Sequence, residues 1–201
     1  MRALLLVDVQ YDFLPDGALG VPDGDQIIPV LNKVQEKFPL VVATQDWHPQ
    51  NHGSFASNHP GKKQFETTEL GGLEQILWPD HCVNGTRGAE FSRDLNMHAV
   101  EAIFRKGTDP RIDSYSGFFD NGKKKSTGLA DYLKGRGVTS VYMGGLAADF
   151  CVGFTALDSK ECGFETFVLE DATRPIDPEG WTKMKQSILD NGGKIISSSD
   201  L

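Results

Sequence analysis

Residues 138–170 read VTSVYMGGLAADFCVGFTALDSKECGFETFVLE, and the order of textures along this stretch decides the fold. Val138–Gly144 is an apolar run of strand length. Small residues follow, then Phe150–Lys160 with helical periodicity, then a second apolar run at Glu165–Glu170. A strand that leaves through a helix and returns as a strand is the repeating unit of a parallel sheet. The alternation extends outward in both directions. Ala3–Val9, Leu40–Gln45, Val100–Arg105 and Lys194–Ser197 read as strands, and Asp25–Lys37, Thr127–Arg136 and Pro178–Asn191 as helices. The strands carry Val, Ile, Leu and Phe on both faces, as strands covered by helices on each side do. Asp25 and Ser126 or Thr127 suit helix N-caps, and Gly137 and Gly192 suit helix stops. The pattern predicts an α/β fold with three layers: a doubly wound, six-stranded, mainly parallel sheet with helices on both faces.

The length of 201 residues fits one domain spanning 1–201, with no internal repeat or linker. One segment breaks the rhythm. From Asp46 to about His98 the chain is dense in His, Pro, Gly, Asn and Trp, longer than an ordinary connection. Its aromatics and histidines argue for an ordered excursion that builds a site. The net charge of −8 argues against nucleic-acid or anionic membrane partners. The apolar run Ala3–Val7 is too short for a signal-peptide core or a membrane span. Three cysteines without a CxxC pair suggest free thiols and a reducing, cytoplasmic setting. The short KKK at 123–125 reads as a solvated turn.

Ligands of open α/β sheets bind outside the carboxyl ends of the strands, so the polar residues at those ends matter most. Asp8 interrupts an apolar strand, Asp46 follows LVVATQ, Lys106 follows AIFR, and Cys151 opens the helix after VYMGG. Each has a plain alternative: a buried cysteine is often an inert small hydrophobe. Together they carry more weight. An ammonium stabilises both a carboxylate and a thiolate, the carboxylate can take the thiol proton, and a helix N-terminus favours negative charge. The small residues of GGLAADFC leave backbone N–H groups near Ala147 and Cys151 room to face a reacting oxygen, or else simply allow a tight strand–helix turn. Asp46, His48 and His81 form a hard-to-borderline donor set suited to zinc, iron or manganese. His52 is a weaker candidate, reaching a metal directly, through water or not at all, and His59 is expected to face solvent. Cys82 and Cys162 read as structural. No G-x-S-x-G, G-x-G-x-x-G or P-loop is present, which disfavours serine hydrolase, dinucleotide and NTP chemistry.

Five stretches in order make the chain resemble the nicotinamidase/pyrazinamidase branch of the isochorismatase-like cysteine hydrolases. They are LLLVDVQYDFLPDGAL, ATQDWHPQNHGSFASNHPG, WPDHCVNGTRGAEF, FRKGTDPRIDSYSGF and GGLAADFCVGFTALDS. The resemblance implies a catalytic triad of Asp8, Lys106 and Cys151. It implies metal ligation by Asp46, His48 and His81, with zinc the first expectation and iron or manganese alternatives. Phe13 and Trp78 would flank a planar ring, with Tyr115 beside them. Leu146–Ala147 would be a cis peptide, and the backbone N–H groups of Ala147 and Cys151 the oxyanion hole. Some members use a further histidine at a longer spacing than His52 offers. The implied activity is hydrolysis of nicotinamide to nicotinate and ammonia, and of pyrazinamide to pyrazinoate, through a thioester in pyridine-nucleotide (NAD) salvage. Another small amide or carbamoyl substrate, a catalytically silent metal-dependent binding protein of the same fold, and a thiol redox protein are the alternatives. Assembly into a homo-oligomer is a prior only.

Overall fold

The computed structural model describes residues 1–201. Its main sheet is six-stranded and parallel throughout. In chain order the strands are β1 (Arg2–Val7), β2 (Val41–Asp46), β3 (Thr67–Leu70), β4 (Leu73–Ile76), β5 (Val100–Lys106), β6 (Ser140–Leu146), β7 (Glu165–Arg174) and β8 (Lys194–Ile196). Across the sheet they run β5-β2-β1-β6-β7-β8, while β3 and β4 form a separate antiparallel hairpin. The helices are α1 (Ile27–Val34), α2 (Leu129–Gly135), α3 (Gly153–Glu161) and α4 (Pro178–Asp190).

The two-residue period of β1 explains the layers. Leu4 and Leu6 point into one core with Ile27, Leu31 and Val34 of α1. Ala3, Leu5 and Val7 point into the other, with Leu129 and Leu133 of α2, Ala156 of α3, and Trp181 and Ile188 of α4. Burying about a dozen large side chains at roughly 1.5–3 kcal/mol each provides the main driving force for this arrangement.

Several sequence boundaries move. Asp8 lies just beyond β1, in the left-handed region at φ 49, rather than inside the strand. The helix expected from Asp25 is α1 flanked by 3-10 turns at Gly24–Gln26 and Gln35–Lys37, and Asp25 does not cap it. Ser126 and Thr127 accept N–H bonds from Gly128 and Leu129 at the entry to α2, although Gly128 itself occupies the N-cap position. Gly137 and Gly192 end their helices with φ values of 71 and 76. The 46–98 excursion contains the β3–β4 hairpin, which lacks the apolar alternation that would have announced it. No helix is long and apolar enough to cross a membrane.

The strand order places the topological switch between β1 and β6, from which the chain winds outward in opposite directions. Carboxyl ends of β1, β2, β5 and β6 therefore meet above the middle of the sheet.

Candidate active site

Asp8, Asp46, Lys106 and Ala147 stand at or just beyond those strand ends. At Gly145, β6 runs so close to β1 that a Cβ would strike the backbone of Val7, and φ is 139. That close approach brings the cis peptide Leu146–Ala147 and the following turn against Asp8. Cys151 sits in a π-helical turn, Ala148–Val152, ahead of α3 and not on the first turn of an α-helix.

Lys106 is the hub. Its Nζ lies 2.9 Å from Asp8 Oδ2, 3.1 Å from Asp46 Oδ1, 3.5 Å from Cys151 Sγ and 2.9 Å from Ser114 O. Burial alone would push this ammonium toward neutrality, but Asp46 and then Asp8 outweigh it and raise Lys106 well above its ordinary range. One cation between two carboxylates cannot serve both equally. Burial would push Asp46 up, yet His48 and Lys106 hold it well below the carboxylate range. Burial pushes Asp8 up, Lys106 opposes this, and Asp46 adds to it. Asp8 Oδ1 accepts from Thr44 Oγ1 at 2.7 Å, while Oδ2 makes the ion pair without a directed hydrogen bond. Asp8 is thus the carboxylate with an open acceptor and an affinity for a proton.

Burial pushes Cys151 well above the thiol range; Lys106 works against that shift, and Asp8 and Asp46 reinforce it. Cys151 rests as a thiol beside a basic carboxylate.

Asp46, His48 and His81 converge as expected, with donor atoms within 4.8 Å of one another. His48 Nε2 is 3.1 Å and His81 Nε2 3.6 Å from Asp46 Oδ2. Each ring uses Nδ1 on a carbonyl, Gly107 O for His48 and Pro79 O for His81, both at 2.8 Å. A neutral ring that donates through Nδ1 presents its Nε2 lone pair, so two such nitrogens beside a carboxylate form a donor set that favours a cation, whether a proton or a metal. Burial opposes protonation of His48, but Asp46 outweighs it and raises His48. The residues present fit a divalent metal. Gly107 permits this packing: its φ is 66, and a Cβ there would collide with the His48 ring.

His52 behaves differently. Its Nδ1 accepts the Ser54 N–H at 3.2 Å, and burial followed by repulsion from His48 lowers its pKa to about 4. A neutral ring accepting at Nδ1 carries its proton on Nε2, and so offers a donor there in place of a lone pair. His52 groups with His48 and Asp113, not with the Asp46 set. His59 is half-buried, not solvent-facing, with Nε2 on Gly53 O at 2.7 Å.

Phe13, Trp78 and Tyr115 line one small cavity together with Asp46, His81, Ala147 and Cys151. Phe150, Leu19 and Ile176 complete its apolar wall, and Phe150 meets Trp78 edge-on at 4.9 Å. A larger open groove beside α3 shares only Tyr115 with this cavity and holds none of the titratable cluster. Cys82 and Cys162 are free thiols outside the cluster.

Four contributors escaped the sequence reading. Thr44 and Asp113 are described above, and Phe150 is hidden within AADFC. Gln10 clamps the Asp46 backbone, with Nε2 donating to Asp46 O and Oε1 accepting from Asp46 N, both at 2.8 Å. Polarity inside VDVQYDF was the available signal for Gln10; its partner lies 36 residues away.

The isochorismatase domain model matches residues 2–200. The chain belongs to the isochorismatase family. Among isochorismatase-family relatives, the nicotinamidase of Acinetobacter baylyi is 47% identical over 200 residues, covering 99% of this chain and 94% of that protein. A solved Acinetobacter baumanii nicotinamidase–pyrazinamidase superposes with a TM-score of 0.97 at 50% identity, covering 99% of this chain and 97% of the other. The pyrazinamidase of Pyrococcus horikoshii in complex with zinc has a TM-score of 0.79 and 42% identity, with 98% of each chain covered. The doubly wound sheet of this isochorismatase-family chain is therefore the fold of those hydrolases.

Proposed function

We propose that this chain is a nicotinamidase, a cysteine amidohydrolase that converts nicotinamide to nicotinate and ammonia and also accepts pyrazinamide. Residues 1–201 act as one such domain, with the 46–98 excursion supplying metal and substrate contacts. One observation carries the proposal: a single buried ammonium touches Asp8, Asp46 and the Cys151 sulfur at the end of an aromatic cavity. The high identity to nicotinamidases names the substrate.

Substrate enters between Phe13 and Trp78, which bury the pyridine ring, with Tyr115 at its edge. Asp8 takes the Sγ proton as the sulfur attacks the carboxamide carbon, so the negative charge passes from carboxylate to substrate oxygen. The N–H groups of Ala147 and Cys151 stabilise that oxyanion; such donors are worth roughly 3–4 kcal/mol each in other enzymes. Protonated Asp8 then delivers its proton to the leaving nitrogen, and the C–N bond breaks to release ammonia and leave a thioester. Water, deprotonated by Asp8, cleaves the thioester to nicotinate and returns the thiol. Lys106 keeps its contacts with Asp8 and Cys151 throughout, holding the charge in place.

Asp46, His48 and His81 would hold one divalent ion, zinc being the first choice and iron or manganese the alternatives. When bound it supplies a Lewis-acid contact for the ring nitrogen of the substrate. His52 lies outside this set, grouped with His48 and Asp113.

Ammonia release from nicotinamide, measured before and after chelator treatment, tests the proposal. Wild-type turnover that falls on chelation and returns with zinc supports it; no release from nicotinamide overturns it. Benzamide keeps the carboxamide and ring but lacks the ring nitrogen, so its kcat/KM falls by at least about 100-fold. Equal values for benzamide and nicotinamide would remove the metal from substrate recognition.

A further inference from the structure

The β3–β4 hairpin lies largely on the surface, and one residue of its two strands is buried: Gln75, at 3% exposure. Its Nε2 is 2.7 Å from Ile76 O, 3.0 Å from Asp113 Oδ2 and 3.1 Å from Tyr115 Oη. A carbonyl and a carboxylate only accept, so the amino end of the carboxamide must face them. Asp113 Oδ1 is occupied by the Ser114 N–H at 2.8 Å, which leaves Oδ2 to Gln75. Asp113 belongs to the group with His48 and His52 whose donor atoms lie within 4.8 Å. Tyr115 Oη also receives the Trp78 indole N–H, at 3.3 Å. One side chain therefore reaches from the hairpin to both halves of the site.

We infer that Gln75 is a positioning residue, its carboxamide orienting the Asp113 carboxylate beside the histidine cluster and the Tyr115 hydroxyl that anchors Trp78. The inference rests on the nicotinamidase reading, which it deepens. An apolar side chain of the same length could fill the space, so packing alone does not require glutamine. A buried amide persists without cost only when its N–H groups are satisfied, as they are here by acceptors that belong to the site.

Two near-isosteric variants separate positioning from packing. Gln75→Met keeps the length and removes the donors; Gln75→Glu keeps the shape and sets a second carboxylate against Asp113. Zinc affinity is measured on the metal-stripped full chain by competition with a chromogenic chelator, and nicotinamide kinetics on the zinc-loaded enzyme. Both variants bind zinc about 10-fold more weakly, the loss typical of groups that orient metal ligands from outside. KM for nicotinamide rises about 5-fold while kcat stays within about 2-fold, because the ring wall loosens and the reacting groups do not move. Wild-type zinc affinity or wild-type KM in Gln75→Met overturns the inference. If that variant does not fold, Gln75→Ala removes the same donors and is judged by the same two readings. A wild type inactive on nicotinamide would defeat the functional reading, while the zinc titration would still decide the role of Gln75.

Discussion

Cys151→Ala abolishes ammonia release from nicotinamide, with a loss of at least about 10⁴-fold in kcat/KM and no loss of fold. The sulfur is the one group in the cavity placed to form a covalent bond with the substrate while contacting Lys106, at 3.5 Å. Removing it leaves Asp8, Lys106 and the oxyanion donors in place, so substrate still binds but no thioester forms. The substitution deletes one buried sulfur and no charge, and the thiol is neutral at rest, so no ion is stranded by its loss. Stability therefore falls by no more than about 1–2 kcal/mol. Single-turnover ammonia release and urea denaturation on the same preparation check both halves. Near wild-type turnover in the metal-replete variant would replace the thiol mechanism with attack by metal-activated hydroxide.

Lys106→Met both inactivates the enzyme and destabilises the metal-free protein by about 3–5 kcal/mol, the cost of breaking a buried ion pair by removing one partner. Methionine approximates the stem of lysine, so the loss is one of charge more than volume. Without the ammonium, Asp8 and Asp46 face each other with no cation between them. The signs give a pH window. Asp46 is depressed, so its contribution is present above the ordinary value of 3.8 and fades as pH falls through its lower folded value. Lys106 is raised, so its contribution is present below the ordinary value of 10.5 and fades as pH rises through its higher folded value. Asp8 is raised and runs the other way from Asp46: protonation is favoured in the fold, and that contribution is lost as pH rises through its folded value. The gap between wild type and Lys106→Met is therefore widest between those two ordinary values and narrows toward acid. Adding Asp8→Asn to Lys106→Met restores part of the stability and none of the activity. Equal urea midpoints for wild type and Lys106→Met near neutral pH would show that the buried charges are not coupled.

The alternation of apolar strands with helical segments was enough to order the layers, because periodicity is written locally and each strand needed only its own residues to show two buried faces. Asp8, Asp46, Lys106 and Cys151 were legible as candidates for a related reason: ligands of open parallel sheets bind outside the carboxyl ends of the strands, where these reactive types stand. The histidines at 48 and 81 were legible as donors by type, and the short Asp46–His48 spacing places both on one side of the chain. Gln10, Thr44, Gln75, Asp113 and Phe150 were not. They act through partners distant in sequence, and apart from the polarity of Gln10 within an apolar run, none carries a local mark of its role.

Composition and pattern thus determined the architecture and supplied the candidate reactive groups, since both follow from side-chain type and repeat. Their states were decided by the folded arrangement. Which carboxylate keeps its charge depends on partners: His48 and Lys106 together hold Asp46 down, while burial pushes Asp8 up against Lys106. The thiol character of Cys151 depends on burial, which raises it, on Lys106, which opposes that rise, and on Asp8 and Asp46, which add to it. Which ring nitrogen a histidine leaves free depends on what its other nitrogen touches: Gly107 O and Pro79 O engage Nδ1 of His48 and His81 and leave Nε2 toward Asp46, while Nδ1 of His52 accepts the Ser54 N–H. Protonation and tautomer are set by desolvation and by partners tens of residues away, and these exist only once the chain has folded.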